Sequence, residues 1–169
     1  MKRYFLYLLI YSVGGFVLER IINLIFLGYW WDNSVLVGPY QPLYGNGVVL
    51  TVLFLEFVLP KLKPNRTLRY GVLLLVAIAS TALSEAVTGY SYEWITGNHL
   101  WDYGQTFTCK LEYVCVLPTS LFGVLSFLVV VFLHKTVDTW TKAIPDWITY
   151  TLVVICSIDV IYTMVVLLG

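Results

Sequence analysis

Charge is scarce in this sequence. Only 12% of its 169 residues are Asp, Glu, Lys or Arg, about half the roughly 25% of an average globular domain. Beside 59% hydrophobic and 17% aromatic residues, that scarcity excludes a soluble domain and points to an integral membrane protein. Neither sign is in surplus, since ten Lys and Arg balance ten Asp and Glu. There is no basic patch with interleaved aromatics, so nucleic acid is excluded as a partner. A Walker A pattern, GxxxxGK followed by Ser or Thr, is also missing, and the chain is not expected to hydrolyse ATP unaided. No A-x-A-like cleavage site follows the first apolar run, so the residues from Met1 onward read as a retained helix. The three cysteines, Cys109, Cys115 and Cys156, form no CxxC and no metal spacing. A bridge between Cys109 and Cys115 is one reading, and free structural cysteines are the favoured one. His99 and His134 are singly placed, so neither a metal nor a cofactor is expected.

What the sequence does hold is long apolar runs. Five approach the roughly 20 residues that a bilayer core requires: about 4–27, 46–62, 68–95, 111–134 and 146–168. The expected fold is therefore all-α, one polytopic bundle of transmembrane helices over residues 1–169, with five spans. The third run is long enough that a break near Gly89 would make six membrane elements. Lys and Arg are retained on the cytoplasmic side of a membrane. Eight of them (Lys2, Arg3, Lys61, Lys63, Arg66, Arg69, Lys135 and Lys142) fall in one set of connections, and only Lys110 falls in the other. This bias places the N-terminus inside and turns the connections around residues 28–42 and 97–110 outward. Trp30 and Trp31 then anchor the outer interface. The link 135–145 carries Val137, Trp140 and Ile144 at helical spacing and reads as a short amphipathic helix on the inner surface, with a membrane-surface connector favoured over a coupling helix for an ATPase.

The stretch GPYQPLYGNG, residues 38–47, interrupts this pattern. Gly38, Pro39, Pro42, Gly45 and Gly47 disturb regular backbone, and Tyr40 and Tyr44 lie among them. Irregular backbone at a membrane must be sheltered by protein or line a wet cavity, because hydrocarbon cannot satisfy its polar groups. We therefore expect a structural loop around which the spans assemble.

Ionisable residues inside spans cost about 2.5 to 3.5 kcal/mol each on insertion scales, so they face the bundle interior and mark function. The candidates are Glu19, Arg20, Glu56, Glu85 and Asp159. At about 1.5 Å of rise per residue, Glu19 and Glu85 come out about 22 Å from the inner face, Arg20 about 24 Å and Asp159 about 18 Å. These four would share one layer in the outer half of the membrane, while Glu56 lies near the inner end of its helix and reaches towards water or Lys61. Helical repeats of small and polar residues support this placement. Ser12, Gly15, Glu19 and Asn23 form one stripe, Thr81, Glu85, Gly89 and Glu93 a second, and Cys156, Asp159 and Thr163 a third. Close helix packing alone would account for part of each stripe. Three ionised acids with one Arg carry about two negative charges, which a dry layer cannot hold. Either a carboxyl takes up a proton or a cation joins them. Arg20 has two readings, a member of this layer or a structural bridge to Asp159.

The remaining motif is Trp101, Asp102 and Tyr103. Asp102 could latch two outer connections together by accepting hydrogen bonds from N–H groups near Gly38 and Gly45. Alternatively Tyr40, Tyr44, Trp101 and Tyr103 wall a ligand with a cationic head group.

These motifs together resemble the CmpB family of ABC-transporter type IV permeases, bacterial multi-pass membrane proteins. The resemblance rests on Tyr11, Ser12, Gly15, Phe16 and Glu19 in the first span, the GPYQPLYGNG stretch, and Glu85, Glu93, Trp101, Asp102 and Tyr103. Phe16 stands where the family pattern has Trp, Ser34 and Val35 where it has Arg-Gly, and Gly104 where it has Ser. The resemblance implies a membrane-embedded subunit of a transport system in the bacterial cell membrane, in contact with lipid. Its partners would be a cytoplasmic ATPase or another transporter subunit and a small solute, cationic by the chemistry of the acids. Two other readings stay open. One is an intramembrane enzyme using paired carboxylates on a lipid or isoprenoid, which the sequence supports with no nucleophile and adjacent base and no DDxxD-like motif. The other is a non-catalytic assembly subunit.

Overall fold

The computed structural model describes residues 2–28, 34–63, 65–107 and 109–168. Among these, every regular element is helical: α1 (Lys2–Leu27), α2 (Pro42–Leu62), α3 (Arg66–Thr96), the short α4 (Tyr103–Phe107), α5 (Val116–Ala143) and α6 (Asp146–Leu168). Five of them, all but α4, are long and apolar enough to cross a membrane. The third is one unbroken helix of 31 residues through Gly89, so there is no sixth, split element among the described residues. Trp30 and Trp31 lie outside them.

Hydroxyls inside the helices bond to the carbonyl four residues back, as Thr51 does to Gly47, Thr81 to Ala77, Thr151 to Trp147 and Ser157 to Val153. That satisfies polar side chains without water. Asn65 caps α3 by accepting the Leu68 N–H at 2.8 Å, and Gly97, with φ of 70°, ends it in the left-handed region that glycine adopts without strain. Two helices widen locally into π turns, Phe54–Val58 in α2 and Val129–Leu133 in α5. The first precedes Pro60, which has no N–H to offer and whose ring would meet the carbonyl of a normal turn. α5 runs on through the widened turn to Ala143, and its last stretch, His134–Ala143, is the amphipathic helix expected of the 135–145 link, joined to the preceding span without a break.

The chain divides into two compact units, Met1–Gly45 with Thr136–Gly169, and Asn46–Lys135. In the first, the start of α1 is tied to the α5–α6 link. Lys2 Nζ reaches Asp146 Oδ1 at 2.5 Å and the Ile144 carbonyl at 2.6 Å, and Tyr7 donates to Asp138, which also pairs with Lys142 at 2.6 Å. α1 also receives the beginning of α2. A Cβ at Gly15 would run into the Tyr44 ring, and one at Gly45 into Ser12 Oγ and the Leu8 carbonyl. The small stripe on α1 is thus a packing surface.

In the second unit, α3 and α5 pack so closely that a Cβ at Gly123 would lie 2.6 Å from the Ile78 Cα, and Gly89 lies against the Tyr113 ring. Large apolar side chains such as Leu75, Val87 and Trp94 on α3 and Ile155, Ile158 and Val165 on α6 are exposed, as contact with hydrocarbon requires.

Candidate functional site

The GPYQPLYGNG stretch is half loop and half helix. Pro42 occupies the first position of α2, where a missing N–H costs nothing and a fixed φ is already helical. Gly45 and Gly47 are consequently helical, and only residues 38–41 keep the irregular backbone expected of all ten. Pro39 is the centre of a tight turn in which the Tyr40 N–H bonds to the Gly38 carbonyl at 2.8 Å. The Gln41 N–H docks on the Ser12 carbonyl of α1 at 3.1 Å.

Asp159 on α6 holds this turn. Its carboxylate accepts the Val37 N–H at 3.0 Å and the Gly38 N–H at 2.9 Å. A latch of this kind was expected of Asp102, but Asp102 Oδ1 accepts the Gly104 N–H at 2.7 Å and so caps its own turn. The Gly38 N–H goes to Asp159. Two converging N–H groups can hold a carboxylate charge where water is absent, and they take the place of the Arg20 bridge. Arg20 is buried, stacks on the Phe16 ring 3.3 Å from its centroid and donates to Ser34 Oγ at 3.3 Å. Phe16, where the resembled pattern has Trp, still supplies the aromatic face. Burial and then the Asp159 carboxylate push the Tyr40 phenol above its ordinary range. Glu19 lies partly buried on α1.

Glu85 belongs to the second unit, whereas Glu19 and Asp159 belong to the first. Its side chain is 3% exposed. The Tyr103 hydroxyl donates to Oε1 at 3.2 Å, and the Thr119 hydroxyl donates to Oε2. Thr119 Oγ1 in turn accepts the Cys115 N–H at 3.1 Å. A carboxylate in the middle of an apolar helix is therefore satisfied by one neighbouring span and by the Trp-Asp-Tyr connection. Trp101 stands 6.4 Å from the Tyr103 ring, centroid to centroid.

About two turns further along α3 lies a second polar group that the sequence reading missed. The fully buried Tyr113 donates its hydroxyl to Glu93 Oε2 at 3.0 Å and meets His99 Nδ1 at 2.7 Å. Trp101 Nε1 donates to the Tyr113 carbonyl at 3.3 Å. Burial, followed by the Glu93 hydrogen bond, pushes the Tyr113 phenol up to about 12. His99, singly placed in sequence, thus has Glu93 and Glu112 as neighbours, with ligand atoms within 4.8 Å of one another. The available signal was the cysteine spacing. Cys109 and Cys115 are joined in a disulfide, against the favoured free reading, and their Cα atoms lie 5.6 Å apart, which folds Glu112 back towards α3. Cys156 is free. Glu56, in the π turn of α2, approaches His134 to 3.9 Å instead of reaching Lys61. His134 immediately follows the π turn of α5.

The profile of a family described as "Putative ABC-transporter type IV" matches residues 6–167. No curated protein and no solved structure matches this sequence.

Proposed function

Because the chain belongs to that ABC-transporter type IV family, and is a multi-pass membrane protein with five candidate spans, we propose that it is a small permease-like or solute-binding subunit of a bacterial transport system. In this reading its partner is a cytoplasmic ATPase or another transporter subunit. In this reading its N-terminus lies inside, which the bias of Lys and Arg towards one set of connections supports.

The observation that carries the reading is Glu85, an acid 3% exposed whose Oε1 is held by Tyr103 from the connection following α3. An ionisable group kept inside a span marks a solute or proton path more often than a structural need. A cationic group entering beside Oε1 competes with the Tyr103 hydroxyl. Protonation of the carboxyl removes acceptor capacity from the same pair. Either event releases Tyr103, so occupancy at the acid is read out as movement of the connection. Trp101, Asp102 and Tyr103 supply two aromatic faces and a carboxylate suited to a cationic head group. Asp159 anchors residues 37–40 in the other unit and keeps Tyr40 in place.

The test is purification from native membranes in mild detergent. The reading expects an ATP-hydrolysing protein to co-purify, and a small cationic solute to raise the unfolding temperature of wild type and not of Glu85→Gln. A protein that travels without an ATPase and responds identically in both forms contradicts it.

A further inference from the structure

We infer that Glu93, His99 and Glu112 form a binding site for a divalent transition-metal ion, with Zn2+ the best fit. The site is separate from Glu85 and stands whether or not the transport reading does. It is built from three places in the chain. Glu93 is on the last full turn of α3, partly buried, while His99 and Glu112 are exposed in the connection to α5. One ligand atom from each lies within 4.8 Å of the other two. Ligands 2.0 to 2.2 Å from a tetrahedral Zn2+ are about 3.4 Å apart. Metal binding would therefore draw the ligand atoms closer together, with the exposed Glu112 carboxylate moving in.

Each ligand is held from behind. The Gly97 N–H bonds to the Glu93 carbonyl at 2.7 Å, ending α3 and turning the chain towards His99. The Glu112 carbonyl accepts the Tyr103 N–H at 2.7 Å, and Glu112 lies inside the loop closed by Cys109 and Cys115. Tyr113 determines the imidazole tautomer. Its hydroxyl proton goes to Glu93 Oε2, so its oxygen is left to accept from His99 Nδ1. A neutral ring protonated at Nδ1 keeps its lone pair at Nε2, and a fixed partner on the far nitrogen is the usual support of a metal-bound His. Two carboxylates and one imidazole carry two negative charges, which a divalent ion neutralises. The mixed nitrogen and oxygen set suits Zn2+ or Mn2+ better than the all-oxygen preference of Mg2+ or Ca2+. Three protein ligands leave a coordination position open to water or to an anionic group.

The experiment uses full-length protein in detergent, stripped with chelator and dialysed, then titrated with ZnCl2 by calorimetry and checked by metal analysis. Wild type is expected to bind one Zn2+ per chain and to unfold at a higher temperature when loaded. His99→Ala and Glu112→Gln, both at exposed positions, are expected to keep the metal-free unfolding temperature and to weaken binding at least tenfold. Tyr113→Phe is expected to weaken it about 10- to 100-fold, since it keeps all three ligands and removes the hydroxyl that supports both the imidazole and Glu93. Wild type that binds no Zn2+, or variants at His99 and Glu112 that bind as tightly as wild type, would overturn the site.

Discussion

The Tyr103 hydroxyl donates a hydrogen bond of 3.2 Å to Glu85 Oε1, across 18 residues of chain that include the end of α3 and the turn at Gly97. It joins an acid inside a span to the connection outside that span. A charge-assisted bond of this kind contributes about 1.5 to 3 kcal/mol, and removing one partner leaves the other to bear its burial alone. Tyr103→Phe should therefore lower thermal stability by about that amount. Thr119→Val, which strips the other oxygen, should do the same. Thermal unfolding followed by tryptophan fluorescence reads both.

Asp159 supports the first unit in a comparable way. Losing both acceptors in Asp159→Ala frees the Val37 and Gly38 N–H groups. Hydrogen exchange at residues 37–40 should accelerate more than tenfold, while Asp159→Asn, which keeps one acceptor oxygen, should show an intermediate rate. Exchange mass spectrometry separates the three.

Glycine positions should divide by what a methyl group would meet. At Gly123 it would lie 2.6 Å from the Ile78 backbone, which cannot yield, whereas at Gly71 nothing lies within 4 Å. Gly123→Ala should destabilise by about 1 to 3 kcal/mol. Gly71→Ala should be neutral or stabilise by up to about 1 kcal/mol. Equal unfolding temperatures for the two would contradict the α3–α5 packing.

Alkaline pH should expose Tyr113. Its phenol titrates near 12 in the folded protein, against about 10 in an unfolded chain, so between those values the folded state holds more protons. Stability is then full below pH 10 and falls as pH rises towards 12. Tyr113→Phe should flatten that limb of the pH–stability curve, which melting curves at stepped pH would show.

Much of the helical layout was legible because five apolar runs are long enough to cross a bilayer, and three of them carry small and polar residues at helical spacing. Gly15 and Gly89, singled out by that spacing, do lie at close contacts with Tyr44 and Tyr113. Partners distant in sequence were not legible. The N–H of Gly38 was expected to find Asp102 and instead finds Asp159, 121 residues away, because nothing local distinguishes one carboxylate from another. Pro42 carried a helix-start signal that its neighbouring glycines obscured. The Glu93, Tyr113 and His99 cluster lies beside a disulfide whose cysteines read more readily as free thiols.

The most direct test of the account is a double-mutant cycle on Glu85→Gln and Tyr103→Phe, measured as unfolding free energy in one detergent. If the acid and the connecting segment act as one unit, the two changes are non-additive, with a coupling of about 1 kcal/mol or more. Additivity to within about 0.3 kcal/mol would mean that they are independent, and the coupling of acid to loop would be contradicted.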